Sequence, residues 1–435
     1  MDTSDIWNPI HWWQSLLLRL MYLNFYNWAM HLFGASLGLV GKFNDKLKAG
    51  YEGRKNLFPR LEKALDGETK IIWFHAASLG EAEQAVPILE AVRKEYNQDK
   101  ILLTFFSPSG MDHFKRKDLA DFIFYLPFDT KSNAHKFLDI VKPELAFFVK
   151  YEIWPNFFRE VKHRGIPLII APAVFLPEFF YFKNPHKKHF IPLLKGADQI
   201  LVQDENSQKL LAEHGVNSKV CGDSRFDRVL QNAATPFEDK ILQDLTQNAT
   251  TLIGGSTWQK GEEILAEIMK SNPDLKMIIA PHNIKEENIK RVSDLFKPYG
   301  AFRYSQAEHQ TTESRVCIID NIGLLSRLYR YGDMAYIGGA FGKGIHNSLE
   351  AAAYGLPLFF GPNHKAFIEP QLMLKEGFAT EIKGANDLRK ALDPILGDES
   401  HLKNLQQQAL TFVEKNSGSV DKVMKSIHKL LPPTC

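Results

Sequence analysis

Residues 71–84 read IIWFHAASLGEAEQ, and the fold turns on how this stretch is read. Ile71 to Phe74 form the short, apolar, aromatic-rich run that a buried strand requires, while apolar residues from Ala85 to Val92 recur at helical spacing. The stretch is a strand-to-helix turn. In parallel α/β sheets such turns lie at the carboxyl ends of strands, where ligands bind. Ser78 followed three residues later by Glu81 also makes a capping box, which satisfies helix-end amides and needs no function. The turn alone supports both readings.

The same alternation extends outward. KIIWFHA, KILLTFF, LAFFV, PLIIAPAV and DQILVQ are separated by helix-length amphipathic segments, which indicates a parallel α/β unit. From Asp223 to Gln247 the pattern turns polar, and it restarts with TLIGGSTW, KMIIAPH, VCIID and MAYIGGAF. Two Rossmann-like halves with a boundary near residue 235 predict a bilobal enzyme with its active site in the cleft. No low-complexity segment or short-period repeat interrupts this plan, so a solenoid is excluded.

The 435 residues, 44% of them hydrophobic, are ample for two or three cores. With 53 basic and 51 acidic residues the net charge is +2, and the α/β halves carry no basic stripe with interleaved aromatics, so a nucleic-acid partner is not expected. Cys221, Cys317 and Cys435 fit neither a disulfide framework nor a zinc spacing, and a reducing compartment follows.

The start of the chain is different in character. From Leu20 to Val40 there is no Asp, Glu, Lys or Arg, although Asn24, Asn27 and His31 interrupt the run, and Trp12, Trp13, Tyr22, Tyr26 and Trp28 suit a headgroup interface. The acidic start, Asp2 and Asp5, argues against a cleaved signal peptide. Lys42, Lys46, Lys48, Arg54 and Lys55 follow, which would leave the rest of the chain on the cytoplasmic side. Residues 1–50 are expected to be a membrane-associated helical segment, spanning or interfacial; the alternative is a helix buried in the first domain.

Four strand ends carry the polar residues. After MAYIGG, the stretch GGAFGKGIHNSLEAAAYGLP (338–357) supplies Gly338, Gly339, Gly342 and Gly344, and His346 to Tyr354 reads as a helix whose amino end faces the loop. Its free amides suit a phosphate. Glu350 in its first turn is either a dipole-favoured acid or a ligand to a ribose hydroxyl. GGSTW (254–258) offers Ser256 or Thr257 as a cap or as a donor to a phosphate or carboxylate. APHN (280–283) places His282, and KYEIWPN (150–156) places Glu152, at strand ends.

Taken together, FHAASLGEAEQ, KYEIWPN, GGSTW and GGAFGKGIHNSLEAAAYGLP resemble the 3-deoxy-D-manno-octulosonic acid (Kdo) transferases of lipopolysaccharide assembly, in order and in spacing and over nearly the whole chain. The resemblance implies an inverting, metal-independent GT-B glycosyltransferase needing no cofactor. It implies a membrane-associated helical segment (1–50), a Rossmann-like acceptor domain (51–235), a CMP-Kdo domain (236–412) and a C-terminal helix (413–435) returning to the first domain. Glu81 stands where the family has its proposed general base, the carboxylate that takes the acceptor proton as the oxygen attacks. Ser78 and Gly80 would bound the acceptor site, Gly80 leaving room for the sugar. A helix amino end would keep Glu81 ionised while weakening it as a base. Glu152 matches the family's second acidic position, to orient the acceptor or the base, whereas Lys150 stands where relatives often carry Glu.

On the donor side Ser256, His282, Gly344, Asn347, Ser348 and Glu350 match CMP-binding positions, amides from Gly344 to Asn347 stabilising the leaving CMP. Relatives often add an Arg where this chain has only His282, so Lys343, Lys365 and Arg225 are the candidates for the donor's anionic groups. The implied acceptor is a lipid A precursor at the cytoplasmic face of the inner membrane. Lys42 to Lys55 and KNPHKKH (183–189) would meet anionic lipid there, or the latter is a solvated loop. No obligate protein partner is implied. The alternatives are a GT-B transferase using another nucleotide sugar, and a non-catalytic bilobal binding protein.

Overall fold

The computed structural model describes residues 24–36, 44–311 and 313–433. The chain forms two compact units, one running to Ser224 and taking the chain back from Gly418, the other Arg225–Ser417. Among the described residues each unit contains one parallel sheet of seven strands.

In the first unit the strands are β1 (Ile71–Ala76), β2 (Lys100–Phe105), β3 (Phe122–Tyr125), β4 (Leu145–Phe148), β5 (Leu168–Ala173), β6 (Gln199–Val202) and β7 (Lys219–Val220), in the order β3-β2-β1-β4-β5-β6-β7. Every residue of β1 is buried, because helices cover both faces of the sheet. Side chains alternate between those faces. Trp73 and Phe148 (rings 5.1 Å apart) join the core under the helices Leu57–Ala64, Lys131–Val141 and Pro155–His163. Phe74 and Phe147 (4.7 Å) join the opposite core, with the helices Leu79–Glu95 and Ser419–Leu430. The last helix is held there by Val423, Met424 and Ile427 in that core and by Ser419 Oγ donating to the Gly222 carbonyl at 3.0 Å.

The second unit repeats the plan with β8 (Thr251–Thr257), β9 (Lys276–Pro281), β10 (Ala301–Arg303), β11 (Val316–Ile318), β12 (Met334–Ile337), β13 (Leu358–Phe360) and β14 (Ala379–Glu381), ordered β10-β11-β9-β8-β12-β13-β14. The helix Ser224–Ala234 places Phe226 and Val229 in this unit's core, so the chain passes between units at its first residue rather than near residue 235.

This topology sets where a binding crevice can open. Strand order reverses between β1 and β4 in one sheet and between β8 and β12 in the other, and at such switch points adjacent loops diverge and open a crevice at the strands' carboxyl ends. The four loops singled out above leave β1, β4, β8 and β12, with His282 following β9.

The amino-terminal expectation changes. No helix among the described residues is long and apolar enough to cross a membrane. Within the apolar run the helix covers residues 24–36. Asn27 and Tyr26 dock it on the first unit, while Asn24 and His31 are exposed: Asn27 Oδ1 accepts from the Lys131 amide (2.9 Å) and Asn156 Nδ2 (3.2 Å), and the Tyr26 hydroxyl donates to Asp129 (2.9 Å). Trp12, Trp13, Tyr22 and Lys42 lie outside the described residues. Arg54 is no membrane-facing cation. It lies 4.7–4.8 Å from the ring centres of Phe106, Tyr125 and Phe128 and donates to the carbonyls of Gly50, Phe106 and Leu126, and burial lowers its pKa to about 10. Lys55 pairs with Glu52 at 2.8 Å.

Candidate active site

The first crevice is built from the loops after β1 and β4. Glu81 and Ser78 form the expected capping box at the start of the helix Leu79–Glu95, with the Glu81 carboxylate accepting from the amides of Ala77 (2.5 Å) and Ser78 (3.2 Å). The electrostatic outcome differs from expectation. Glu81 is only 7% exposed, and burial raises its pKa despite the two amides and the nearby Lys150 charge, which pull the other way. Desolvation therefore makes it a better proton acceptor than an exposed helix-capping acid. A Cβ on Gly80 would meet nothing within 4 Å, so the space beside Glu81 is open.

The loop after β4 brings a second carboxylate to the first. Glu152 is raised to about 7 by burial and by the Glu81 charge, against the Trp154 indole N–H and Lys150. Lys150, at φ 63°, holds a left-handed conformation costly for a side chain with a Cβ, and it aligns the loop there. Trp154 anchors the loop's far end by donating from Nε1 to His75 Nε2 (3.1 Å) while packing at a tilt against the Phe106 ring, 4.6 Å between centres. His75 is fully buried and its pKa is lowered to about 3, so the imidazole is neutral; accepting at Nε2 leaves Nδ1 to donate to the Thr104 carbonyl at 3.1 Å. Buried Asp129 takes the amides of Asn156 and Phe157 at 3.1 and 3.0 Å, capping the helix that follows the IWPN stretch, and burial raises its pKa to about 6. His75 and Asp129 hold the loop after β4 in place through these bonds. His75 stood inside FHAASLGEAEQ without an assigned role, and Asp129 lies in none of the quoted motifs.

Glu152 also lines a cavity of about 720 Å³ whose walls include Tyr151, Trp154, Phe179, Tyr181 and Phe25.

The second crevice lies between the loops after β8 and β12. Ser256 is left-handed at φ 48°, and a Cβ on Gly338 would fall 1.9 Å from the Ser256 carbonyl, so only glycine lets these two loops approach. Thr257 donates to Glu262 at 2.9 Å, and that fully buried carboxylate is paired with Arg291. Beyond them, Trp258 and His282 stack at 4.8 Å and His282 and His346 at 4.4 Å, with Trp258 Nε1 donating to His346 Nε2 at 3.0 Å. These three rings, with Lys260, Lys343 and Gly344, line a cavity of about 530 Å³. Trp258 and His346 stood inside quoted motifs without being assigned a role.

The remaining donor candidates are divided. Asn347 and Ser348 line a smaller pocket of about 150 Å³ with Arg225, His346 and Glu369. Arg225 is paired there with Glu369, which weakens its candidacy for a ligand's anionic group. Ser256 and Glu350 are among the linings of neither pocket. Glu350 accepts from Asn347 Nδ2 at 2.9 Å, and burial raises its pKa. The helix expected from His346 is confined to Leu349–Ala352. Gly344 and His346 instead spend their amides on the carbonyls of Gly339 (3.3 Å) and Gly338 (3.1 Å), so these two do not face a phosphate. The basic and imidazole side chains lining this crevice are Lys260, Lys343, His282 and His346.

The family model for 3-deoxy-D-manno-octulosonic-acid transferase matches residues 51–228. Similar proteins described as 3-deoxy-D-manno-octulosonic acid transferases include that of Aquifex aeolicus, 27% identical and covering 81% of this chain and 93% of its own. That of Haemophilus influenzae is 26% identical, covering 81% and 85%, and that of Chlamydophila psittaci 26% identical, covering 90% and 91%. Among solved structures, the UDP-GlcNAc 2-epimerase of Neisseria meningitidis superposes with a TM-score of 0.57 at 13% identity, covering 83% of this chain and 100% of its own. A similar protein of Listeria monocytogenes gives 0.54 at 13% identity, covering 84% and 98%. These structures share the fold of two parallel-sheet α/β units. Residues 51–228 thus match the Kdo transferase family model, and the chain resembles proteins described as Kdo transferases over four-fifths of its length or more.

Proposed function

We propose that this protein transfers Kdo from CMP-Kdo to a lipid A precursor with inversion, without a metal, and with Glu81 as general base. The observation that carries the reading is the Glu81–Glu152 pair at the β1/β4 switch point, one carboxylate buried and the other half-buried, both with raised pKa values, beside open space at Gly80. In the step proposed, an acceptor hydroxyl oxygen bonds to the anomeric carbon as the bond from that carbon to the CMP phosphate oxygen breaks, and the hydroxyl proton passes to Glu81. Glu152, neutral for part of the time near pH 7, hydrogen-bonds the acceptor. The aromatic stack Trp258–His282–His346, with Lys260 and Lys343, suits a nucleotide base and its phosphate.

The test is transfer from freshly generated CMP-Kdo to a lipid A precursor, read by mass spectrometry of the lipid; a product heavier by whole Kdo residues is expected. CMP should raise the melting temperature and UDP should not. Protection by UDP with no Kdo transfer would favour a different nucleotide sugar.

The lipid acceptor motivates a membrane-surface reading at the cytoplasmic face of the inner membrane. On the helix of residues 24–36, Phe25, Trp28 and Leu32 are 65%, 60% and 54% exposed, a stripe at helical spacing opposite the docked Tyr26 and Asn27. Phe180 is exposed as well, and Lys183 and Lys188 of the KNPHKKH run face solvent while His189 is buried. Replacing Phe25, Trp28 and Leu32 together by serine should weaken binding to anionic vesicles at least tenfold in a flotation assay. Undiminished binding would remove the surface helix from the proposal.

A further inference from the structure

Tyr181, in the wall of the cavity beside Glu152, carries one atom that packing does not explain. Tyr181 lies in the aromatic run Phe179–Phe182, 4% exposed, its ring fixed by Phe179 at 5.4 Å, Phe180 at 5.1 Å and a stacked Phe190 at 5.9 Å. Phenylalanine would fill that space equally well. The phenolic oxygen is nonetheless buried, with no hydrogen-bond partner among the described residues. A buried hydroxyl without a partner is unfavourable, and where one persists it marks a place that something else completes. Tyr151 lines the same wall, 4.9 Å ring to ring from Phe179, and the charge of Glu152 reaches both phenols.

We propose that this cavity is the acceptor-sugar subsite and that Tyr181 is a specificity-determining residue, its phenol hydrogen-bonding a hydroxyl of the acceptor's pyranose ring. The proposal rests on the transferase reading above. The chemistry of the walls selects a saccharide over an acyl chain. A pyranose offers apolar C–H faces to the aromatic walls and hydroxyls to Tyr181 and Glu152, the combination of apolar surface and few placed polar groups that small-molecule sites use. An acyl chain would seal both polar groups against hydrocarbon and leave the phenol unsatisfied. A site that satisfies a buried oxygen only when a ligand hydroxyl arrives discriminates strongly against ligands that lack it. The cavity of about 720 Å³ is of ordinary size for such a ligand.

The experiment is calorimetric titration of the full chain and of Tyr181→Phe with the fully deacylated saccharide headgroup of the lipid A precursor, in the absence of donor. The headgroup should bind the unmodified protein, and Tyr181→Phe should bind it about tenfold more weakly while melting at the same or a higher temperature. In the transfer assay the variant's KM for acceptor should rise by a similar factor with the KM for CMP-Kdo unchanged. Equal affinity in the two proteins overturns the proposal. So does binding of the acylated lipid alone, indifferent to the Tyr181 hydroxyl, which would make the cavity an acyl-chain site. Because the titration contains no donor, headgroup binding that depends on Tyr181, together with no Kdo transfer, would fault the transferase reading and leave the subsite standing.

Discussion

Glu81→Gln is expected to lower kcat for Kdo transfer by about a thousandfold, within the range that loss of a positioned general base produces. The substitution is clean because the amide oxygen can still accept from Ala77 and Ser78, the two amides the carboxylate now satisfies. The start of the helix Leu79–Glu95 and the melting temperature should be nearly unchanged, and CMP should still protect the variant, since the proposed donor residues belong to the second unit. One complication has a predictable sign. The Glu81 charge is one of the two causes that raise Glu152, so removing it lowers the Glu152 pKa and makes that carboxylate a partial substitute base. Residual activity should therefore vanish in the Glu81→Gln, Glu152→Gln double variant. Wild-type rates in the single variant would show that Glu81 only caps its helix, and would restore the non-catalytic alternative.

How much of this was legible beforehand depends on what each residue type reports. The central strands were, because a strand covered on both faces is a continuous apolar run, and IIWF, LLTFF, LAFF and MAYI are such runs. The edge strands β3, β7, β10 and β14 were not: they are two to four residues long and only partly buried, as in the exposed Lys219 of β7, so they leave no periodic signal. GIHNSLEAAAY shows a different failure. Its composition favours a helix, but the tertiary bond from the His346 amide to Gly338 holds the first part as a loop, and Gly355 at φ 76° follows soon after.

The candidate site divides in the same way. Glu81 and Glu152 were visible because strand-end carboxylates next to Gly80 and Trp154-Pro155 have a local pattern. Their pKa values were not, since the sign depends on burial that no neighbouring letter reports, and the capping box suggested the opposite sign for Glu81. His75 and Asp129 bond to Trp154 and Asn156, 79 and 27 residues away in sequence, and Tyr181 shares a cavity wall with Tyr151 and Glu152, so only the assembled sheet brings these together. Arg54 reads as one more cation in a basic stretch until three aromatic rings close around it.

The pH dependence of transfer should report the same carboxylates, and its sign follows from their ordering. Both are raised by burial, and Glu152, at about 7, additionally by the Glu81 charge. As pH falls, Glu152 takes its proton first, while Glu81, held by two amides, stays ionised longer. The base is lost only when Glu81 protonates. The acid limb of kcat/KM should then lie above the ordinary carboxylate range and below the Glu152 value, with a tenfold loss per pH unit beneath it. Lys150 supplies the test that separates the two groups. Its positive charge favours the ionised form of Glu81, so Lys150→Met raises the Glu81 pKa and moves the limb to higher pH. Glu152→Gln should move it little, because Glu152 is already neutral where Glu81 titrates, even though the rate itself falls. A limb that follows Glu152→Gln and ignores Lys150→Met would transfer the role of base from Glu81 to Glu152.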